Sequence, residues 1–134
     1  MKLEQAIGEK LAWLREDRQM SQAQLGEAIG RYLGKPWTRQ AVHTAEKGRR
    51  AFTAAELVAF ASALDTSVPS LFLPLPGTGS VEMPSGTKIS GSDYRSLAFL
   101  PSDVRGKTSA ESWDGLRRIF QAVREMQGGH ERLG

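Results

Sequence analysis

The chain has 134 residues, 40% of them hydrophobic and 25% charged, with a net charge of +3 and no cysteine. Such a composition fits a globular protein of about one domain with an appendage. It excludes a disulfide framework and thiolate chemistry, and no apolar run is long enough to cross a bilayer.

The opening residues, Met1-Lys2-Leu3-Glu4-Gln5, lack the apolar core of a secretory signal, so the expected setting is the cytoplasm. Leu3, Ile7, Leu11 and Leu14 recur at helical spacing and predict an amphipathic first helix over 3–18. Ser21-Gln22-Ala23-Gln24 has the form of a capping box, with the Ser oxygen reaching the third amide and Gln24 reaching back. The second helix it opens turns Leu25, Ala28, Ile29 and either Tyr32 or Leu33 inward, and Gly34-Lys35-Pro36 stops it. Thr38 caps a third helix over about 39–47 that ends at Gly48. Thr53-Ala54-Ala55-Glu56 is a second capping box, followed by a core face of Leu57, Phe60, Ala61 and Leu64. Ser67-Val68-Pro69 then starts a short fifth helix containing Leu71 and Phe72.

After Phe72 the composition shifts to Pro74, Pro76, Gly77, Gly79, Pro84, Gly86 and Gly91, the mark of a linker over 74–92. Within it, residues 80–83 and 87–90 flank Pro84-Ser85-Gly86 in the manner of a small hairpin. Ser92-Asp93 can cap a short helix through Phe99. A final helix over 110–127 carries Trp113, Leu116, Ile119, Phe120, Val123 and Met126 along one stripe. The predicted organisation is thus an all-α domain of five helices over 1–73, a linker over 74–92, and a C-terminal helical region over 93–134.

The third helix carries the chemistry. Between Gly30 and Ala51 stand Arg31, Lys35, Arg39, Lys47, Arg49 and Arg50 against the single acid Glu46. A local basic stretch suits an anionic partner, most simply a phosphate backbone. Ala41, Val42 and Ala45 fall on one face of the helix, while Arg39, Gln40, His43 and Thr44 project from the rest. Arg can clamp guanine O6 and N7, Gln can pair with adenine N6 and N7, and Ala41 or Thr44 can meet a thymine methyl. A solvated basic helix is the plainer reading of the same residues, but the capped helix before it favours contact with DNA.

Residues 7–73 resemble the helix-turn-helix domain of the phage-repressor and Cro class, the XRE family. The matching residues are Ile7-Gly8-Glu9, Leu14-Arg15, Ser21 to Leu25, Thr38-Arg39-Gln40-Ala41-Val42, Glu46-Lys47-Gly48, Leu57 and Ala61 to Leu64. The resemblance implies a lambda-repressor-like fold, double-stranded DNA as partner and, for symmetric operators, a homodimer. It implies base readout by Arg39, Gln40, Ala41, His43 and Thr44. Phosphate contacts fall to Gln22, at a helix N-terminus, to Thr38, and to Lys47, Arg49 and Arg50 beyond the reading helix. Arg15 and Glu46 correspond to an internal ion pair tying the first helix to the third. One departure stands out: residues 31–37 separate the second and third helices, where about 3–4 residues are usual. Either the second helix is longer or the turn is wider, and Trp37 is expected to plug the core there.

Asp and Glu are scattered, no Gly-rich loop has phosphate-binding spacing, and His130 lies far from His43 with no Cys nearby. No enzyme, cofactor or metal site is therefore expected. Two functions follow: a sequence-specific DNA-binding transcription regulator, as a repressor, or an antitoxin or adaptor module that grips a protein partner through 110–127.

Overall fold

Four helix starts are set by hydroxyl side chains in the computed structural model, which describes residues 1–99 and 117–126. The Gln24, Ala41, Glu56 and Ser70 amides donate to the side-chain oxygens of Ser21, Thr38, Thr53 and Ser67 at 3.0, 3.1, 3.1 and 3.2 Å. Each bond satisfies one of the orphan amides of a first helical turn. The helices so defined are α2 (Gln22–Leu33), α3 (Arg39–Glu46), α4 (Ala54–Ala63) and α5 (Val68–Phe72), preceded by α1 (Leu3–Asp17). In α1 the Lys2 amide is satisfied instead by Gln5 Oε1 at 2.9 Å.

The five helices enclose one core. Ile7, Leu11 and Leu14 of α1 meet Leu25 and Ile29 of α2, Val42 of α3, Phe60 and Leu64 of α4, and Leu71 of α5, all buried. Each fully buried side chain of this size contributes about 1.5–3 kcal/mol. At the end of α2 the inward residue is Leu33, while Tyr32 is exposed. Trp37 is packed against this core, its ring edge-to-face with Phe60 at 5.3 Å between centroids. Phe52 approaches the same Phe60 ring at 6.1 Å.

The unusual link between α2 and α3 combines both alternatives. α2 has 12 residues, and an extended five-residue connection, 34–38, follows it. That connection folds back along α2: the Trp37 amide donates to Gly26 O at 3.1 Å. Gly26 and Gly30, one turn apart, make room for it. A Cβ on Gly26 would lie 2.2 Å from Trp37 O, and one on Gly30 would lie 2.7 Å from the Pro36 Cα.

Residues 74–92, expected as a linker, are packed into the same unit as the helices, which runs from Met1 to Phe99. Here β1 (Ser80–Glu82) and β2 (Lys88–Ser90) pair antiparallel, with Val81 opposite Ile89. α6 (Gly91–Phe99) packs on both strands and on α5. Val81 and Tyr94 are buried, so this region has apolar anchors of its own. Pro76-Gly77 and Pro84-Ser85-Gly86 serve its turns, and each three-residue strand turns its central apolar residue, Val81 or Ile89, to the more buried side.

A second unit contains one further described helix, α7, at 117–126. Of the apolar stripe expected there, Ile119 is half-buried and Phe120, Val123 and Met126 are exposed. Trp113, Leu116 and the remaining residues of the expected 110–127 helix lie outside the described residues. Apart from the hairpin, the architecture is helical. Among the described residues no helix is long and apolar enough to cross a membrane.

Candidate nucleic-acid interface

α3 is held by one face. Val42 and Ala45 are fully buried, and Glu46 nearly so. Arg39 and Gln40 are exposed, and Ala41, His43 and Thr44 are half-buried along the rim. Arg39 and Gln40 have no side-chain partner among the described residues, so their donors and acceptors are available to a ligand. Thr44 Oγ1 donates to Gln40 O at 2.9 Å, which fixes the hydroxyl. Thr38 uses its oxygen as the cap, leaving its O–H proton as a donor.

Behind this face lies a buried charge network. Arg15 Nε and Nη2 donate to Glu46 Oε2 and Oε1 at 2.6 and 3.0 Å, a bidentate fork between α1 and α3. Arg15 Nη1 also donates to Met20 O at 2.8 Å, reaching the turn before α2. Gln22 Nε2 donates to Glu46 Oε1 at 2.9 Å, so the Glu46 carboxylate takes three donors from two other segments. The hydrogen bond to Glu46 raises the Arg15 pKa above its ordinary value, holding the guanidinium still more firmly protonated. With Arg15 and Glu46 side chains 12% and 5% exposed, solvent screens the pair weakly. Removing one partner of such a pair costs about 3–5 kcal/mol, although the pair itself can be nearly neutral in net stability.

The same network recruits two residues expected at the DNA surface. Gln22 is half-buried, and its Nε2 lies 3.4 Å from His43 Nδ1 as well as bonding Glu46. Both side chains therefore line the wall of an open groove of about 640 Å³ with Trp13, Glu46 and Lys47.

Arg50 is placed differently from the other basic residues beyond α3. It was expected as a phosphate anchor with Lys47 and Arg49, which are indeed exposed. Its guanidinium instead lies 4.0 Å from the Trp37 ring centroid, and Nη2 donates to Glu56 Oε2 at 2.8 Å. Counting charge along the chain does not reveal that an aromatic face and a carboxylate already surround this cation. Glu56 in turn accepts from the Thr53 amide at 2.9 Å, completing the cap of α4. Arg50 thus braces the α3–α4 turn against the wide α2–α3 connection.

Two successive helices, the second anchored by its inner face and showing unpaired polar groups outward, have the geometry by which a helix enters the major groove. Residues 6–71 match the family model described as a helix-turn-helix domain. The match spans just under half of the chain. The helix-turn-helix match supports a role in DNA binding and transcription regulation. Among solved structures, the restriction-modification controller protein C.AhdI from Aeromonas hydrophila is similar at 28% identity, covering 52% of this chain and 96% of that chain, with a TM-score of 0.42. No curated protein matches the chain.

The helix-turn-helix domain contains signals that sequence reading passed over. Gly26 and Gly30 sit four apart inside a helix, where each costs about 1 kcal/mol relative to Ala. Their spacing was the available sign that backbone approaches α2 closely.

Proposed function

We propose that this protein is a sequence-specific, double-stranded-DNA-binding transcription regulator that represses by occupying its site as a homodimer. Arg39, Gln40 and Thr44 read base edges in the major groove, with Ala41 and His43 at the rim. Gln22, Thr38, Lys47 and Arg49 hold phosphates. The observation that carries this reading is the exposure of unpaired Arg39 and Gln40 on a helix whose opposite face is locked by Val42, Ala45 and the Arg15–Glu46 fork. A rigid mount with free bidentate groups is what base readout needs, because a mobile helix would lose the discrimination of a well-placed pair.

The test is selection of bound duplexes from a random library, followed by binding curves for Gln40→Ala. Gln40→Ala should relax preference at one position of each half-site, costing about 1–3 kcal/mol on the preferred duplex and little on others. Equal losses on every duplex would remove Gln40 from base readout. No enriched sequence at all would remove the proposal of specific regulation.

A second reading, an adaptor that grips a protein partner, is favoured by α7, where Phe120 and Met126 are 64% and 70% exposed. It is compatible with DNA binding, since the reading helix and α7 are different surfaces.

A further inference from the structure

The hairpin and the first residues of the chain meet beside the reading helix, and neither has been given a task. Glu82 N donates to Met1 O at 2.8 Å, and Lys2 forms an isolated parallel bridge with Glu82, so the chain's first residues are tied to the end of β1. The Lys2 amide is fixed from the other side by Gln5 Oε1. The turn after α3 packs onto the same place. Gly48, at φ 69°, lies so close to α1 that a Cβ there would sit 2.5 Å from the Gln5 Cα.

These two contacts gather Lys2, Lys47 and Arg49 around one groove of about 520 Å³, with Glu4 the only acid lining it. Arg50 also borders the groove but is neutralised by Glu56. Among the described residues, Lys2, Lys47 and Arg49 are in no ion pair. All three are exposed beside the groove. Two exposed ammonium groups and a guanidinium around one groove suit phosphodiester oxygens.

We infer that Lys2 is a phosphate anchor extending the Lys47–Arg49 row, and that the β1–β2 hairpin is the strap that positions it. The inference rests on the DNA-binding reading above and adds a residue and an element to it. Without the strap, Met1 and Lys2 would lose their contacts to β1, and Lys2 would have to be ordered at each binding event. The hairpin makes that ordering part of folding.

The test uses the full chain and two duplexes, one selected from the library and one scrambled, in a salt series. Lys2→Gln is a surface change and should fold normally. It should reduce affinity for both duplexes by the same factor and make the log–log salt slope shallower by about 0.9, the release expected from one phosphate. Glu82→Pro removes the amide that holds Met1 O at an outward-facing strand position. It should reproduce that loss in the native background and add nothing to Lys2→Gln. An unchanged slope in Lys2→Gln would overturn the anchor. Equal effects of Glu82→Pro in both backgrounds would overturn the strap. Failure of the native chain to bind either duplex would instead overturn the DNA-binding reading itself, and the inference with it.

Discussion

Tyr94 shows what a single atom costs in this fold. The residue is 5% exposed, and its hydroxyl has no hydrogen-bond partner among the described residues. A buried polar group left unpaired carries a desolvation penalty of about 1–3 kcal/mol. Burial also pushes the Tyr94 pKa from 10.0 up to about 12. The folded phenol therefore stays protonated where the unfolded one has begun to ionise. Stability from this source is complete below pH 10 and falls as pH rises toward about 12, because the unfolded state binds fewer protons there. Tyr94→Phe keeps the ring and deletes the hydroxyl. It should raise stability by about 1 kcal/mol at neutral pH. In urea titrations its advantage should grow between pH 10 and 11, since only the native residue has a proton to lose. A variant less stable than the parent would mean that the hydroxyl has a partner. Arg50 belongs to the same scale. Its charge is legible in the sequence, but its neighbours Trp37 and Glu56 come from either side of α3 and are set only by the fold.

Element boundaries were largely legible, because each helix start carries its own chemistry. Ser21, Thr38, Thr53 and Ser67 all cap as their side chains require, and the predicted ranges for α2 to α5 fall close to those observed. The wide connection between α2 and α3 was legible as a length but not as a path. Its path depends on backbone meeting backbone, which leaves no apolar pattern; only Gly26 and Gly30 record it. In an open helix, Gly26→Ala would gain about 1 kcal/mol from propensity. Here its methyl would lie 2.2 Å from Trp37 O, and Trp37 is locked against Phe60 on its other side. Overpacking of this kind typically costs about 1–3 kcal/mol. Gly26→Ala should therefore lower the urea midpoint despite its better propensity. It should also weaken selected duplexes more than scrambled ones, since Trp37 adjoins the Thr38 cap and a shift there re-aims Arg39 and Gln40. A stabilised variant with unchanged selectivity would show that the connection is free to move.

At the scale of the whole molecule, the unsettled matter is how one short reading helix covers a site. α3 has 8 residues, enough for a few base pairs, so selectivity in a genome calls for a second copy on a second half-site. Within the first unit the outward faces are chiefly polar, with Trp13, Tyr32, Val58 and Leu97 as separate exposed hydrophobics on four different helices. α7 differs: Phe120, Val123 and Met126 are spaced to share one face, and all three are exposed. Isolated apolar residues on a surface need no explanation, but a helical stripe of them does. A twofold pairing of α7 with its copy would bury that stripe twice, at about 1.5–3 kcal/mol for each side chain covered. The double variant Phe120→Asp with Met126→Asp would place two carboxylates per chain in the seam. On the homodimer proposed above, it should sediment as a monomer at micromolar concentrations where the parent sediments as a dimer. Its affinity for a palindromic duplex should then drop toward that for a single half-site, while half-site affinity itself stays unchanged, because the side chains of α3 are untouched. A double variant that remains dimeric would clear α7 of this role and assign the stripe to a different protein.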